Sequence, residues 1–348
     1  MRTDVSKVKV SDSFGVAGDP ALPLAASALD PATVREEFKH GLPRLCGEGG
    51  RVSVRGIEVL RHKPGKRCVI EYNLRVKPSD GGRTKATLIG KMRARRFGNE
   101  GYRLLDALWN AGFQSDSPDG VSVPEPIGVI TPLQLWLQRK VPGETATEAL
   151  GRPDGAALAR RIAAAIHKLH CAGVPTDRSH SMADELRILH ECLPVAARAR
   201  PELAGRIDDI LAASARLGAR VPQPQRCGIH RDFYPAQVIV ESARLHLIDF
   251  DLYCQGDPAL DVGNFIGHMT EESLRGRGDA RAGQREEEAM EEAFVELSGE
   301  ATRAAVRAYT TLTLVRHIYL STQFPERAPF TGKFVELCEE RLAGAGAR

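Results

Sequence analysis

Residues 228–240 read Gly-Ile-His-Arg-Asp-Phe-Tyr-Pro-Ala-Gln-Val-Ile-Val. This segment is the most informative part of the sequence for the chemistry of the protein. His230 and Asp232 precede Pro235, which disfavours a continuing helix because it lacks an N–H group and its ring crowds the preceding turn. The two side chains are therefore expected in a polar loop that leads into the apolar residues at the end of the segment.

Two short apolar runs, separated by a polar turn, follow this loop. Residues 238–240 read Val-Ile-Val and residues 246–248 read His-Leu-Ile, so the pattern predicts a β-hairpin. Asp232 lies before the first strand and Asp249 lies after the second, so we expect both carboxylates to face one site. With the amide oxygen of Gln237 they form a hard-oxygen set that suits Mg²⁺ bound to phosphates, because Mg²⁺ takes few protein ligands.

A third segment, residues 256–261, reads Gly-Asp-Pro-Ala-Leu-Asp. The order His-x-Asp, an amide five residues later, apolar-Asp-Phe and Gly-Asp-Pro-x-x-Asp resembles the catalytic core of the protein-kinase-like phosphotransferases. It is most similar to their aminoglycoside phosphotransferase and choline-kinase-type branch. The resemblance implies that Asp232 accepts the proton of the substrate hydroxyl, Asp249 is the principal metal ligand and Asp261 braces the catalytic loop. It gives His230 a structural hydrogen bond within that loop.

Two positions differ from the pattern of this family. Gln237 stands where the family has Asn; its amide still offers a carbonyl oxygen, although the side chain reaches about 1 Å further. Asp251 replaces the glycine of Asp-Phe-Gly, which predicts a more acidic site. The resemblance therefore implies a metal set of Gln237 and Asp249, with Asp251 in a supporting role.

The N-terminal part of the chain is predicted to be rich in strands. Asp30 and Pro31 predict the start of a helix, as its capping residue and first helical residue. Residues 52–61 and 68–76 alternate between apolar and polar side chains, and the turn chemistry between them is typical of a hairpin. The resemblance implies that this turn, residues 63–67, lies over the nucleotide phosphates with its backbone amides and basic side chains. The alternative is a plain exposed hairpin.

Lys91 lies on a third predicted strand, and Glu100 opens the helix that follows. The resemblance implies that Lys91 pairs with the α- and β-phosphates of the nucleotide, with Lys85 and Arg93 as competing candidates. Glu100 would then orient Lys91. The alternative for Glu100 is compensation of the helix dipole alone.

Residues 135–143, Leu-Trp-Leu-Gln-Arg-Lys-Val-Pro-Gly, resemble the hinge strand whose backbone hydrogen-bonds the adenine ring. Gln138, Arg139 and Lys140 would form the contact region. The composition changes after this segment, because helical periodicity and many alanines replace the strand patterns.

These patterns predict a strand-rich N-terminal lobe and a mainly helical C-terminal lobe. The resemblance implies that together they form a two-lobed α+β fold of the protein-kinase-like type, with an antiparallel sheet in the N-terminal lobe. A ligand is expected in the cleft between two such lobes. The expected divisions are a weakly ordered lead-in over residues 1–30, a nucleotide-binding lobe over 31–143, and a catalytic and acceptor-binding lobe over 144–348.

Length and composition narrow the class of protein. The 348 residues include 48 basic and 45 acidic side chains, and a net charge of +3 is too small for a dedicated nucleic-acid binder. Seven scattered cysteines without a Cys-x-x-Cys pair are typical of reduced thiols rather than disulfides or a zinc site. The sequence has no apolar run long enough for a membrane span and no signal-peptide pattern, so it predicts a cytoplasmic protein without a membrane partner.

The resemblance implies a small-molecule kinase that uses Mg²⁺ and ATP or GTP. It would transfer the γ-phosphoryl group to a hydroxyl of a small acceptor such as an aminoglycoside, a sugar or an amino alcohol. The alternative is a nucleotide-binding pseudokinase with a regulatory role, motivated by Gln237 and the glycine-poor turn. A protein kinase is disfavoured, because no Ala-Pro-Glu motif follows Asp249 and the chain reaches Gly256 without room for a long activation loop.

Overall fold

The computed structural model of the chain describes residues 8–47, 49–79, 81–94 and 98–346. The chain forms two compact units, an N-terminal unit, Met1–Pro142, and a C-terminal unit, Gly143–Arg348. The division lies one residue before the boundary expected from composition. None of the helices in the described part of the chain is long and apolar enough to cross a bilayer.

The N-terminal unit is built on a sheet. Its strands are β1 (Lys9–Ser11), β2 (Arg51–Lys63), β3 (Arg67–Lys77), β4 (Thr84–Arg93), β5 (Val121–Ser122), β6 (Pro126–Ile130) and β7 (Leu135–Arg139). Its helices are α1 (Ala25–Leu29), α2 (Pro31–Gly41), α3 (Pro43–Cys46) and α4 (Glu100–Asn110). Six strands pair in the order β1-β2-β3-β4-β7-β6, and only β1 is parallel to its neighbour. The predicted antiparallel sheet is therefore confirmed.

Alternation along β3 gives this sheet two different faces. Every second residue, from Cys68 through Tyr72 to Val76, is buried in the apolar core. Tyr72 packs edge-on against Phe38 of α2, with ring centroids 5.1 Å apart, and its hydroxyl donates to the Ala28 carbonyl oxygen at 2.9 Å. Helix α2 begins as predicted, because the Asp30 carboxylate accepts the N–H of Thr33 at 2.8 Å and Pro31 is its first residue. The opposite face of the sheet carries polar and charged side chains.

The described part of the predicted lead-in belongs to the same core. Val16 and Leu22 are buried, and α1 adds Ala25, Ala28 and Leu29. The sequence predicts weak order over residues 1–30, whereas residues 8–30 pack; residues 1–7 lie outside the described part. The small apolar residues of this segment lie between prolines and glycines and show neither the period of a strand nor that of a helix. Their packing in the core therefore depends on the sheet that they cover, which the local sequence does not indicate.

Leu22→Ala should destabilise the protein by about 2–5 kcal/mol, because Leu22 is only 2% exposed and its loss leaves a cavity. Phe14→Ala, in the same segment, is the matched control, because Phe14 is 49% exposed and its loss should cost less than about 0.5 kcal/mol. Urea unfolding of the full chain measures both. Equal small effects would mean that the segment does not contribute to the core.

The C-terminal unit is mainly helical, as predicted. Its helices are α5 (Ala146–Ala149), α6 (Gly155–Cys171), α7 (Met182–Ala199), α8 (Ala204–Arg220), α9 (Pro258–Arg277), α10 (Gln284–Ser298), α11 (Arg303–Gln323) and α12 (Thr331–Gly346). Its short strands are β8 (Glu144–Thr145), β9 (Cys227–Ile229), β10 (Val238–Glu241), β11 (Arg244–Leu247) and β12 (Cys254–Gly256). The predicted hairpin is present as β10 and β11, and β9 pairs antiparallel with β12.

Helix α9 is the buried centre of this unit. Its N-terminus is capped by the Asp257 carboxylate, which accepts the N–H of Ala259 at 2.9 Å. A Cβ atom at Gly263 would lie 2.5 Å from the Cβ of Tyr309 on α11, so glycine at this position lets the two helices approach closely. The close packing fixes the first turn of α9, which carries Asp261.

Candidate active site

Asp261 holds the loop that follows β9 through hydrogen bonds to its backbone. Its side chain is fully buried, and its two oxygens accept the N–H groups of His230 at 2.8 Å and of Arg231 at 2.7 Å. The Nε2 of His170 lies 2.9 Å from the same carboxylate. Arg231 has a φ of +69°, a left-handed conformation that is costly for a residue with a Cβ atom. The hydrogen bond to its N–H helps to hold the loop in this shape, as a bracing role for Asp261 requires.

His230 ties the loop to the second part of the site. The ring is fully buried, and its Nε2 donates to the carbonyl oxygen of Ile248 at 2.9 Å. Phe250 and Phe233 pack beside it, with ring centroids 5.0 and 5.6 Å away. Because Ile248 precedes Asp249, the histidine connects the loop that carries Asp232 with the segment that carries Asp249. This contact fits the structural role expected for His230.

Gln237 lies next to the same segment. Its N–H donates to the Tyr234 carbonyl oxygen at 2.8 Å, and its own carbonyl oxygen accepts the N–H of Ile248 at 3.0 Å. The residue is only 5% exposed, yet its side-chain amide forms no hydrogen bond within the described residues. An amide that no described residue engages has its oxygen available to a ligand. Asp249 follows Ile248 with a φ of +63°, the second strained backbone of the site.

The remaining acidic residues of the prediction lie on the same two segments. Asp232 is half-buried, and its carboxylate forms no hydrogen bond or ion pair with any described residue. Asp251 is half-buried too, and its carbonyl oxygen accepts from the Arg178 guanidinium at 2.7 Å. No cluster of three or more His, Cys, Asp or Glu side chains that could hold a metal exists among the described residues. A site with Gln237 and Asp249 as ligands would instead need water and phosphate oxygens, which is usual for Mg²⁺.

In the N-terminal unit the register separates Lys91 from its competitors. Lys91 pairs with Val69 on one side and Trp136 on the other, in the middle of the polar face of the sheet. Its Nζ lies 5.2 Å from the centroid of the Trp136 ring. Lys85 lies six residues away toward the far end of β4, and Arg93 lies two residues nearer the β2–β3 turn. Of the three, only Lys91 has strand partners on both sides among the described residues, and its role toward the nucleotide stays a prediction.

Glu100 and Gln138 take positions that differ in burial. Glu100 is the first residue of α4 and is exposed, so its pairing with Lys91 stays a prediction. Gln138 is 8% exposed and pairs with Ile89 on β4 and Pro126 on β6. It lies within the sheet rather than at a free edge.

The backbone N–H groups and the side chains of the other two predicted hinge residues, Arg139 and Lys140, already have partners within the N-terminal unit. The N–H of Arg139 donates to the Glu125 carbonyl oxygen at 2.9 Å, and the N–H of Lys140 donates to the Thr87 carbonyl oxygen at 2.9 Å. Their side chains form ion pairs, Arg139 with the Glu125 carboxylate and Lys140 with Glu71, each at 2.6 Å. These two N–H groups are not available to an adenine ring, because the sheet continues further than the sequence indicates.

Asp19 holds the β2–β3 turn, which the resemblance assigns to the phosphates. The Asp19 carboxylate accepts the N–H of Gly65 at 2.9 Å and lies 2.8 Å from Nε2 of His62. These contacts, the Gly65 hydrogen bond first, hold the pKa of Asp19 below its usual value. Sequence reasoning missed Asp19, because it lies 43 residues from His62 and within the supposed lead-in.

A second group missed from sequence lies on α9 beside the catalytic loop. The amide of Asn264 donates to the Phe233 carbonyl oxygen at 2.8 Å, and its oxygen accepts from Arg316 at 2.8 Å. His268 stacks on Tyr234 with ring centroids 4.9 Å apart. Asp261, Asn264 and His268 are spaced three and four residues apart on one helix, and this spacing was the available signal.

His268 lies in a cationic surrounding. Its ring meets the ring of His317 edge-on at 4.7 Å. Burial, and after it the charges of Arg316 and Arg327, lower the pKa of His268 to about 3. Burial also holds the pKa of His317 well below its usual value. Both rings are therefore neutral at physiological pH.

Stability should fall as the pH drops below about 6.5, the usual pKa of an unfolded histidine. The pKa of His268 is about 3 in the folded state. As the pH falls, the unfolded chain therefore binds a proton at His268 before the folded chain does, and this favours unfolding. Each such histidine can cost up to about 1.4 kcal/mol per pH unit. Urea unfolding at pH 7.5, 6.5 and 5.5 should show a shallower pH dependence for His268→Gln than for the wild type. His190→Gln, at an exposed position, is the control, and equal slopes for all three proteins would contradict the prediction.

The chain is similar to known proteins in sequence and in structure. A family model described as "Phosphotransferase enzyme family" matches residues 74–307. No curated protein matches significantly. A choline/ethanolamine kinase family protein from Mesorhizobium loti is similar in structure, with a TM-score of 0.54, 15% identity, and coverage of 78% of this chain and 88% of that one.

Two further solved structures are similar to the chain. The amicoumacin kinase hAmiN, in complex with AMP-PNP, Ca²⁺ and Ami, has a TM-score of 0.56 at 14% identity over 81% of this chain and 88% of that one. A thermostable mutant of the aminoglycoside phosphotransferase APH(4)-Ia, with ADP and hygromycin B, has a TM-score of 0.55 at 14% identity over 85% and 96%. At such identities the likeness shows the fold, and the predicted protein-kinase-like fold is confirmed.

Proposed function

The chain belongs to the phosphotransferase enzyme family, and we propose that it is a small-molecule kinase that transfers the γ-phosphoryl group of ATP to a hydroxyl group. One observation carries the proposal: the loop braced by Asp261 presents Asp232 with a carboxylate that no described residue engages. Because no described residue engages its oxygens, this carboxylate can accept a hydrogen bond from a bound hydroxyl group.

Asp232 accepts the proton of the acceptor hydroxyl in this proposal. In phosphoryl transfer the protein contributes mainly by aligning the attacking oxygen and by neutralising charge. A base on a rigid loop is well suited to the alignment. The hydrogen bonds of His230 and Asp261 to the loop supply that rigidity.

Gln237 and Asp249 hold Mg²⁺ in this proposal, through the amide oxygen and the carboxylate. The backbone hydrogen bond from Ile248 to Gln237 supports their proximity. When bound, the metal supplies positive charge to the phosphate oxygens. Asp251 keeps the supporting role that the resemblance implies, two residues further along the same segment.

Lys91 binds the nucleotide phosphates, and Glu100 orients it. Position in the middle of the polar face of the sheet, between Val69 and Trp136, supports this assignment for Lys91. Gln138 is retained as a nucleotide contact through its side chain or carbonyl group. Arg139 and Lys140 can take part only through groups other than their N–H donors, which the sheet already uses.

The acceptor is a small hydroxyl compound, for which we retain an aminoglycoside, a sugar or an amino alcohol. The neutral ring of His268, the Tyr234 ring and the Arg316 guanidinium lie beside the catalytic loop, so neutral and anionic acceptors belong in the panel as well. ADP release that depends on the added hydroxyl compound, with ATP or GTP as donor, identifies the pair. A cytoplasmic location remains part of the proposal, supported by seven cysteines that are all free.

Asp249→Ala and Asp232→Asn should fail in different ways. Asp249→Ala should lose the thermal stabilisation by Mg·ATP together with turnover, because it removes a metal ligand. Asp232→Asn should keep most of that stabilisation, about 2.7 kcal/mol at 100 times the Kd. It should lose about 10²–10⁴-fold in rate, the usual share of a positioned base.

Asp279→Asn, at an exposed position, is the matched control and should behave like the wild type. A wild type that Mg·ATP stabilises but that phosphorylates no hydroxyl compound, with Asp232→Asn unchanged in every assay, would instead support the pseudokinase.

Gln237→Asn should keep measurable activity, because it retains the amide oxygen. Gln237→Leu removes this oxygen at similar volume, and it should raise the Mg²⁺ concentration needed for half-maximal rate. The measurement is a Mg²⁺ titration at saturating ATP. An identical Mg²⁺ dependence in the wild type and Gln237→Leu would take Gln237 out of the metal site.

A further inference from the structure

The C-terminal unit contains a cavity of about 470 Å³ that the proposed function does not use. Its walls are the last turn of α6, residues 222–227, the first residues of α9 and the connection from α10 to α11. We call it the α6–α9 cavity. No residue assigned to the metal, the nucleotide or the proton transfer lines it, and its volume is typical of a small-molecule site.

His170 supplies the first polar group of the cavity wall. The residue is only 8% exposed. Its Nε2 lies 2.9 Å from the carboxylate of Asp261, whereas its Nδ1 is buried and forms no hydrogen bond with any described residue. The ring of Phe294 packs edge-on against it, with centroids 5.9 Å apart, and this contact restrains the orientation of the imidazole. With Nε2 as the donor to Asp261, Nδ1 of the neutral ring is an acceptor.

Asp257 supplies a second acceptor on the same wall. It is 5% exposed, and its Oδ1 accepts the N–H of Ala259 at 2.9 Å, whereas Oδ2 forms no hydrogen bond with any described residue. Burial raises the pKa of Asp257, and the Ala259 N–H and the Tyr309 hydroxyl offset only part of this rise. Buried polar atoms without partners are uncommon, so two of them on one cavity indicate that it receives a hydrogen-bond donor.

The rest of the wall is compatible with a cation that has an apolar body. Leu297 lines the cavity with a side chain that is 48% exposed, and Pro258 and Ala305 add further apolar surface. Burial lowers the pKa of His167, so this ring is neutral at physiological pH. Arg226 is the only Lys or Arg among the described wall residues, and it is exposed, so solvent screens its charge.

We propose that the α6–α9 cavity binds an organic cation that carries N–H groups on an apolar body. The N–H groups donate to Nδ1 of His170 and Oδ2 of Asp257, and the apolar body packs on Leu297. An amidinium or primary ammonium group suits these partners, because a hydrogen bond to a carboxylate is stronger when the donor is charged. The site holds neither the acceptor nor the nucleotide, so the inference goes beyond the proposed function.

His170 connects this cavity to the catalytic loop. A donor at Nδ1 favours the tautomer with the proton on Nε2, which is the form that donates to Asp261. Asp261 in turn accepts the N–H groups of His230 at 2.8 Å and of Arg231 at 2.7 Å. A cation in the cavity should therefore reduce local opening of the loop that carries Asp232.

The probe for this site is benzamidine, an amidinium cation on a phenyl ring, and benzoate is its anionic counterpart. Calorimetric titration of the full chain should show that benzamidine binds and that benzoate binds at least about tenfold more weakly. With saturating benzamidine, hydrogen exchange at the N–H groups of His230 and Arg231 should slow at least about twofold.

Asp257→Asn should weaken benzamidine binding by about 10- to 100-fold, the loss expected for a hydrogen bond between charged groups. Asparagine caps helices about as well as aspartate, so α9 should keep its N-terminus. The matched control is Asp30→Asn, at the cap of α2, which should change the affinity by less than about twofold. Ala301→Trp, at an exposed wall position, should obstruct the cavity with both acceptors intact and weaken binding at least about tenfold.

Equal benzamidine affinity in the wild type, Asp257→Asn and Ala301→Trp would overturn the site. Equal binding of benzamidine and benzoate, or no binding of either, would overturn it as well. Benzamidine binding with unchanged exchange at His230 and Arg231 would overturn the connection to the catalytic loop. Phosphoryl transfer is measured in none of these experiments, so their outcome is independent of whether the chain is a kinase.

Discussion

The buried carboxylate of Asp261 is the constraint on which the candidate site depends. An ionised side chain without solvent is tolerated only when its oxygens are hydrogen-bonded, and the N–H groups of His230 and Arg231 provide that. The same bonds hold Arg231 in a left-handed conformation. The two hydrogen bonds thus satisfy the buried carboxylate of Asp261 and also fix the loop. Asp232 is positioned by this loop backbone, so its own side chain does not need a hydrogen bond to hold it in place.

The second organising feature is the division of the N-terminal sheet into two faces. The period of two along β3 sends Tyr72 and its neighbours into the core and sends Arg67, Val69 and Glu71 to the other side. The apolar face supplies the burial that keeps the strands together. The opposite face can therefore carry charged side chains such as Lys91, whose position is a consequence of strand register.

Several features of the fold could be predicted from local sequence patterns. The hairpin of β10 and β11, the cap at Asp30 and the helical character of the C-terminal unit follow from alternation, capping chemistry and helical periodicity. The order of His230, Asp232 and Asp261 along the chain is enough to indicate the family. Packing of residues 8–30 could not be foreseen, because it depends on a sheet face formed by residues far along the chain.

Composition and spacing along one strand, loop or helix are local properties, and they specify which side chains are available for chemistry. Which of their hydrogen-bonding groups remain free depends on contacts between distant parts of the chain. The N–H of Gly65 is taken by Asp19, 46 residues away, and the N–H of Lys140 by Thr87, whereas the carboxylate of Asp232 is left unengaged within the described residues. A hydrogen bond can be used once, and its partner is chosen by distance in space, which no pattern along the chain records.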